Sequence, residues 1–156
     1  MESRSRSDRA MIGLDGGVAG LLGAAIVAMW FLFMDTVTRL PLYTPIVLGE
    51  GFLFPEYGAN TRELVSPKTT LMYSGVHGLV FILLGVIAAY WLFQPKRNLN
   101  LGVVLIGLFA VLQLGFVGTA FFVTKPVLHE LSWPIVLTGN LLAAAGITCY
   151  LSLRRR

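Results

Sequence analysis

The chain has 156 residues, 56% of them apolar and only 13% charged, with 12 basic against 8 acidic residues for a formal net charge of +4. Its 17 glycines lift the apolar share to about 67%, where soluble domains hold roughly 45–50% and carry about 25% charge. These numbers, with a mean hydropathy of +0.75, exclude a water-soluble globule, a disordered chain and a disulfide scaffold; one cysteine, Cys149, excludes an internal disulfide, a Cys-x-x-Cys pair and a thiolate zinc site.

Residues 1–11, with Arg4, Arg6 and Arg9, read as a basic tail. The first apolar span follows at about 12–33 and is longer than a signal-peptide core, so it reads as an anchor. Asp15 then falls in its first turn, where a helix N-terminus favours an anion. Asp35 falls at the opposite end, which disfavours a carboxylate. It needs another reason to be there: pairing with Arg39, capping the next segment, or facing a ligand.

Residues 34–68 hold four prolines around the apolar centre Tyr43–Phe54. Thr44 as N-cap with Pro45 next predicts a short helix containing Gly49. About ten residues cannot span a bilayer, so this helix is interfacial or re-entrant, a lid on the outer mouth.

Three more spans follow at about 69–93, 99–123 and 131–153. Ser66-Pro67 starts the second, Gln94–Asn98 is a polar turn, Lys125-Pro126 closes the third, and Ser132-Trp133-Pro134 opens the fourth. The expectation is an all-α integral membrane four-transmembrane-helix bundle (12–153) with a basic end at 154–156 and one long extracytoplasmic loop holding a short interfacial helix.

Basic residues set the orientation. Arg4, Arg6, Arg9, Lys96, Arg97, Arg154, Arg155 and Arg156 crowd three short segments, whereas Arg39, Arg62, Lys68 and Lys125 are spread over longer ones. Both termini are therefore expected in the cytoplasm. The same charge is juxtamembrane, drawn to anionic lipid, and is no nucleic-acid footprint.

In lipid, helices associate by close backbone approach and polar contacts. Gly16, Gly20, Ala24 and Ala28 recur every four residues on the first span, with Gly13, Gly17 and Gly23 broadening the stripe. The fourth span answers with Gly139, Ala143, Ala144, Ala145 and Gly146. These read as seams within the bundle or as a dock for another membrane-protein subunit.

Three polar side chains lie inside hydrocarbon. His77, Gln113 and Asn140 share a depth of roughly 12–15 Å below the outer surface, by rise per residue. They read either as a hydrogen-bonded knot or, with Asp35 above them, as a pocket under the lid. A haem or pigment ligated through His77 is the sharper alternative. A bis-histidine site is disfavoured, because His129 lies roughly 12 Å higher by the same arithmetic. No phosphate loop, zinc spacing or nucleophile elbow occurs, so no catalytic residue is assigned.

Asp35 followed by Pro41-Leu42-Tyr43-Thr44-Pro45, Leu48-Gly49 and Leu53-Phe54, then Tyr73, His77, Gly78, Phe81 and Gly85, resembles an uncharacterised family of small bacterial four-helix integral membrane proteins. The resemblance covers about 16–89. It implies an inner-membrane protein with Asp35, Thr44, Pro45, Gly49 and His77 as recurrent positions, and brings no activity with it.

Three functions stand at this point: a non-enzymatic accessory or scaffold subunit, a binding or transport module with an outer polar pocket, and a cofactor-bearing electron carrier. The topology is directly testable. In a chain lacking Cys149, an impermeant thiol reagent applied to intact cells should label Ala59→Cys and spare Ser3→Cys and Ser152→Cys; labelling Ser3→Cys but not Ala59→Cys reverses the orientation.

Overall fold

The computed structural model describes residues 2–38, 40–53, 67–93, 100–122 and 132–154. They form five helices: α1 (Glu2–Thr38), α2 (Tyr43–Leu53), α3 (Pro67–Leu92), α4 (Leu101–Phe122) and α5 (Trp133–Arg154), with no strand among them. Four are long and apolar enough to cross a membrane, over Ala10–Thr38, Thr70–Leu92, Leu101–Thr119 and Trp133–Arg154. The protein is thus a multi-pass helical bundle, as its composition requires. The Arg39 partner for Asp35, the Gln94–Asn98 turn, Lys125-Pro126 and His129 lie outside the described residues.

Helix starts follow local chemistry. Asn100 caps α4: its Oδ1 accepts from Gly102 N–H at 3.1 Å, and its carbonyl takes Val103 and Val104 at 2.9 and 3.3 Å. Ser132 does the same by backbone for α5, accepting from Ile135 and Val136 at 3.0 and 3.3 Å. Pro134 sits in that first turn, where no intrahelical donor is lost. Pro67 is the first residue of α3, as the sequence predicts.

α1 begins far earlier than expected. Its 37 residues run about 55 Å, well beyond a hydrocarbon core of roughly 30 Å, so the basic tail continues the helix. Asp15 is therefore several turns inside α1, and the helix-terminus explanation for it fails. Its partner is Arg154, whose Nη2 and Nε lie 2.8 and 2.9 Å from Asp15 Oδ1. That pair joins the ends of the first and last spans on one side of the bundle.

α1 is the shared column: it packs most extensively on α3 and next on α5, while α4 rests mainly on α5 and α2 on α3. Ala19, Ala24, Val27, Phe81, Ala88, Ala89, Ala143, Ala144 and Ile147 lie in the core between them.

The α1–α3 seam is glycine against glycine. A Cβ on Gly16 would fall 2.5 Å from Val86 Cα, and one on Gly20 would run into the Phe81 carbonyl oxygen and lie 2.6 Å from Ile82 Cα. Reciprocally, a Cβ on Gly85 would strike the Gly16 carbonyl oxygen and the Gly20 backbone. Neither backbone can yield, so the approach exists because all three lack side chains.

The α1–α5 seam is built differently. Large side chains of one helix enter glycine gaps of the other: Ile26 against Gly146, Ile147 against Gly23, and the Trp30 indole over Gly139. With Gly139 bare, Trp30 Nε1 reaches the Ile135 carbonyl at 2.9 Å.

Two sequence expectations need correction here. Ala28 is exposed and lies off the seam, because a four-residue step overshoots one turn by about 40°, which carries Ala28 about 120° around the helix from Gly16. Gly13 and Gly17 do not broaden the seam either, since a Cβ on either would meet nothing within 4 Å.

Replacing Gly20 with Ile should therefore lower stability by about 3 kcal/mol or prevent folding, as overpacking against backbone does. Leu21→Ile, at an exposed neighbour, should change it by less than about 0.5 kcal/mol. Equal thermal melting of the two variants in detergent would remove the seam.

Candidate functional site

The residues singled out by sequence separate into three places. The first is Asp35, 4% exposed, one turn from the end of α1. Its Oδ2 accepts from Thr44 N–H at 2.8 Å and its Oδ1 from Thr44 Oγ1 at 2.7 Å. Of the three reasons open for Asp35, capping the next segment is the one the geometry gives.

Thr44 is not itself the N-cap. The first α2 backbone bond runs from Ile46 N–H to the Leu42 carbonyl at 3.2 Å, which makes Leu42 the cap and Thr44 the second helical residue. Residues 43–45 then leave no donor unsatisfied. Tyr43 N–H bonds the Leu40 carbonyl at 3.1 Å, Thr44 bonds Asp35, and Pro45 has no N–H to place. The turn that delivers α2 back onto α1 holds Leu42 at φ 65°, a left-handed conformation costly for a side chain like leucine.

α2 does not lie as a lid across all three intramembrane polar groups. It packs on α3 and, less, on α1, with Thr44 and Gly49 buried and Pro45 half-buried. The half-buried positions in the outer part of α3 are Thr70, Tyr73, His77 and Gly78, which mark the face covered there.

The second place is His77. The expected three-way cluster does not form, because His77 faces α1 and not α4 or α5. Its ring is stacked near Tyr73, centroids 6.1 Å apart, and tilted against Phe81 at 4.7 Å. The Ala24 backbone is a hydrogen-bonding neighbour, and Nε2 is enclosed with no partner among the described residues. An axial bond from this nitrogen to a haem or pigment needs open space beyond it, so neighbouring side chains would first have to move aside.

The third place is the α4–α5 contact, where Asn140 Nδ2 donates to Gln113 Oε1. Asn140 is buried and Gln113 half-buried, so each amide meets the other instead of lipid. The common depth of Gln113 and Asn140 was legible from sequence, but His77 does not share it: His77 is level with Ala24, whereas Gly139, beside Asn140, meets Trp30 further out along α1. Which faces meet was not legible: α1 and α3 enclose one side chain and α4 and α5 the other two.

Sequence reading missed Gly85, Trp30 and the Asp15–Arg154 pair as structural partners. Gly85 carried one usable signal: a glycine among branched residues in mid-helix costs about 1 kcal/mol relative to alanine unless close approach requires it. Among the described residues no group of three or more His, Cys, Asp or Glu side chains is placed to hold a metal ion.

Removing both acceptors at once by Asp35→Leu should cost roughly 3 kcal/mol, since hydrogen bonds to a charged group contribute about 1.5–3 kcal/mol each. In a Thr44→Val background the same change should cost less, by a coupling above about 1 kcal/mol. Asn140→Leu should cost only about 0.6 kcal/mol, the average for intramembrane hydrogen bonds. Additive losses at positions 35 and 44 in detergent melts would sink the capping role. No protein-family model, curated protein or solved structure matches the chain, so its functional reading rests on these residues.

Proposed function

We propose that this chain is a non-enzymatic accessory or scaffold subunit of a bacterial inner membrane, with both termini in the cytoplasm. The family resembled by the Pro41–Pro45 and Tyr73–Gly78 motifs agrees with that setting. The observation that carries the reading is where the polar groups within the spans are spent. Asp35 holds α2, Gln113 and Asn140 hold α4 to α5, Asp15 holds Arg154, and Trp30 holds α5. Hydroxyls of Thr36, Thr38, Thr138 and Ser152 return to carbonyls of their own helices. Chemistry or ion passage needs polar groups free to meet a substrate. Among the described residues most are committed to architecture, with His77 Nε2 and Thr148 Oγ1 the buried polar atoms left without a partner, while α3 and α4 present broad apolar faces outward.

A second reading, a site for a small amphipathic ligand, draws on one observation, the enclosed and unpartnered Nε2 of His77 beside Tyr73 and Phe81.

Outward contact is the test. A photo-crosslinking residue at Gly75 or Gly107, both open beyond the backbone, should give a discrete adduct with one other membrane protein in native membranes. The same residue at the buried Ala143 should give none. Adducts to lipid alone from both outward positions, or a Soret band in the purified chain, would overturn the accessory role.

A further inference from the structure

Among the described residues, Leu42 is the one non-glycine residue with a left-handed backbone. Leu42 and its neighbour Leu40 are both exposed, so side-chain packing does little to hold this turn. Strained residues persist where surrounding contacts over-determine them, and they gather at clamps and switch segments. The contact that holds Leu42 is the clip two residues on, where Thr44 gives its N–H and its hydroxyl to the two oxygens of Asp35.

Turn and clip pull against each other. Closing α2 onto α1 forces a leucine into the left-handed region and places a carboxylate one turn from a helix C-terminus, and both oppose closure. Two charge-assisted bonds and the N-terminus of α2 favour it. The net preference is the difference between these terms. A small difference of this kind lets a segment open by itself, below the free energy of global unfolding.

The bundle carries no such conflict. Its α1–α3 seam rests on backbone contact at Gly16, Gly20 and Gly85, and its α1–α5 seam on Ile26, Ile147 and Trp30 in glycine gaps. All the α1 positions in these seams lie nearer the middle of the helix than Asp35, and α2 takes part in neither.

We infer that α2 is a strap: it pivots about residues 40–42 when Asp35 releases Thr44, while both seams of α1 stay closed. Opening frees the α3 surface on which α2 packs. The strap is a property of this chain alone and does not rest on the accessory role.

The test is hydrogen–deuterium exchange of the full chain in lipid nanodiscs, read on the amides of 46–53 and of 16–27. In wild type, 46–53 should exchange many-fold faster than 16–27. Asp35→Asn keeps the shape but removes the charge and one acceptor. It should speed 46–53 roughly tenfold, the difference between charged and neutral hydrogen bonds, and leave 16–27 protected. Leu42→Gly removes the strain and should slow 46–53 roughly fivefold, the equivalent of about 1 kcal/mol. Leu40→Gly, in the same turn but without a left-handed backbone, should not slow it. Equal protection of the two segments, acceleration of both together by Asp35→Asn, an unchanged rate in that variant, or no slowing by Leu42→Gly would overturn the strap.

Discussion

Backbone contact between α1 and α3 at Gly16, Gly20 and Gly85 is the constraint on which the other elements depend. In hydrocarbon, apolar side chains gain nothing by leaving lipid for protein, so helices must be drawn together by close packing and polar contacts. At these three positions the backbones themselves touch, leaving no room for even one methyl group on either helix. That closeness fixes the rotation of α1. One face is given to α3, and the adjacent face carrying Ala19, Gly23, Ile26 and Trp30 is turned toward α5. The second seam can then be large-into-small, with Gly139 and Gly146 receiving Trp30 and Ile26.

The same rotation decides what happens at the two ends of α1. Asp35 projects where α2 returns, and its carboxylate supplies the acceptors that the opening turn of α2 lacks. A negative charge near a helix C-terminus costs about 0.3–1 kcal/mol. Two charge-assisted bonds to Thr44 and the favourable N-terminus of α2 exceed that cost. At the other end Asp15 meets Arg154 with the arginine side chain 54% exposed, so this pair contributes register more than stability. Asp35 and Asp15 thus act oppositely to what helix-dipole reasoning on isolated spans implies: the carboxylate at the unfavourable end is the one embedded in the structure.

Close packing on one side of α1 leaves looseness on its flank. Gly13 and Gly17, drawn into the stripe by sequence spacing, face open space, and beside Gly13 a groove between α1 and α3 opens. One glycine-rich helix therefore provides both a seam and a gap. Which glycine does which follows from the drift of a four-residue repeat around a helix of 3.6 residues per turn.

Membrane insertion, the number of spans and the presence of a short helix after Pro41 were all legible in the sequence. Each depends on local quantities: the length of apolar runs, the placement of proline, and the composition between them. The common depth of Gln113 and Asn140 was legible too, because rise per residue is constant along a helix. What tertiary structure alone decided was direction. A sequence gives the height of a side chain in a span, whereas its azimuth relative to neighbours depends on how helices are turned against one another. Hence Gln113 found Asn140 while His77 was enclosed by Tyr73, Phe81 and α1, and hence Asp35 supplies the side-chain acceptor for the opening turn of α2 that Thr44 was expected to supply. The partners of Gly16 and Gly20 were set in the same way, by contacts between backbones roughly 60–70 residues apart, of which spacing within one span carries no record.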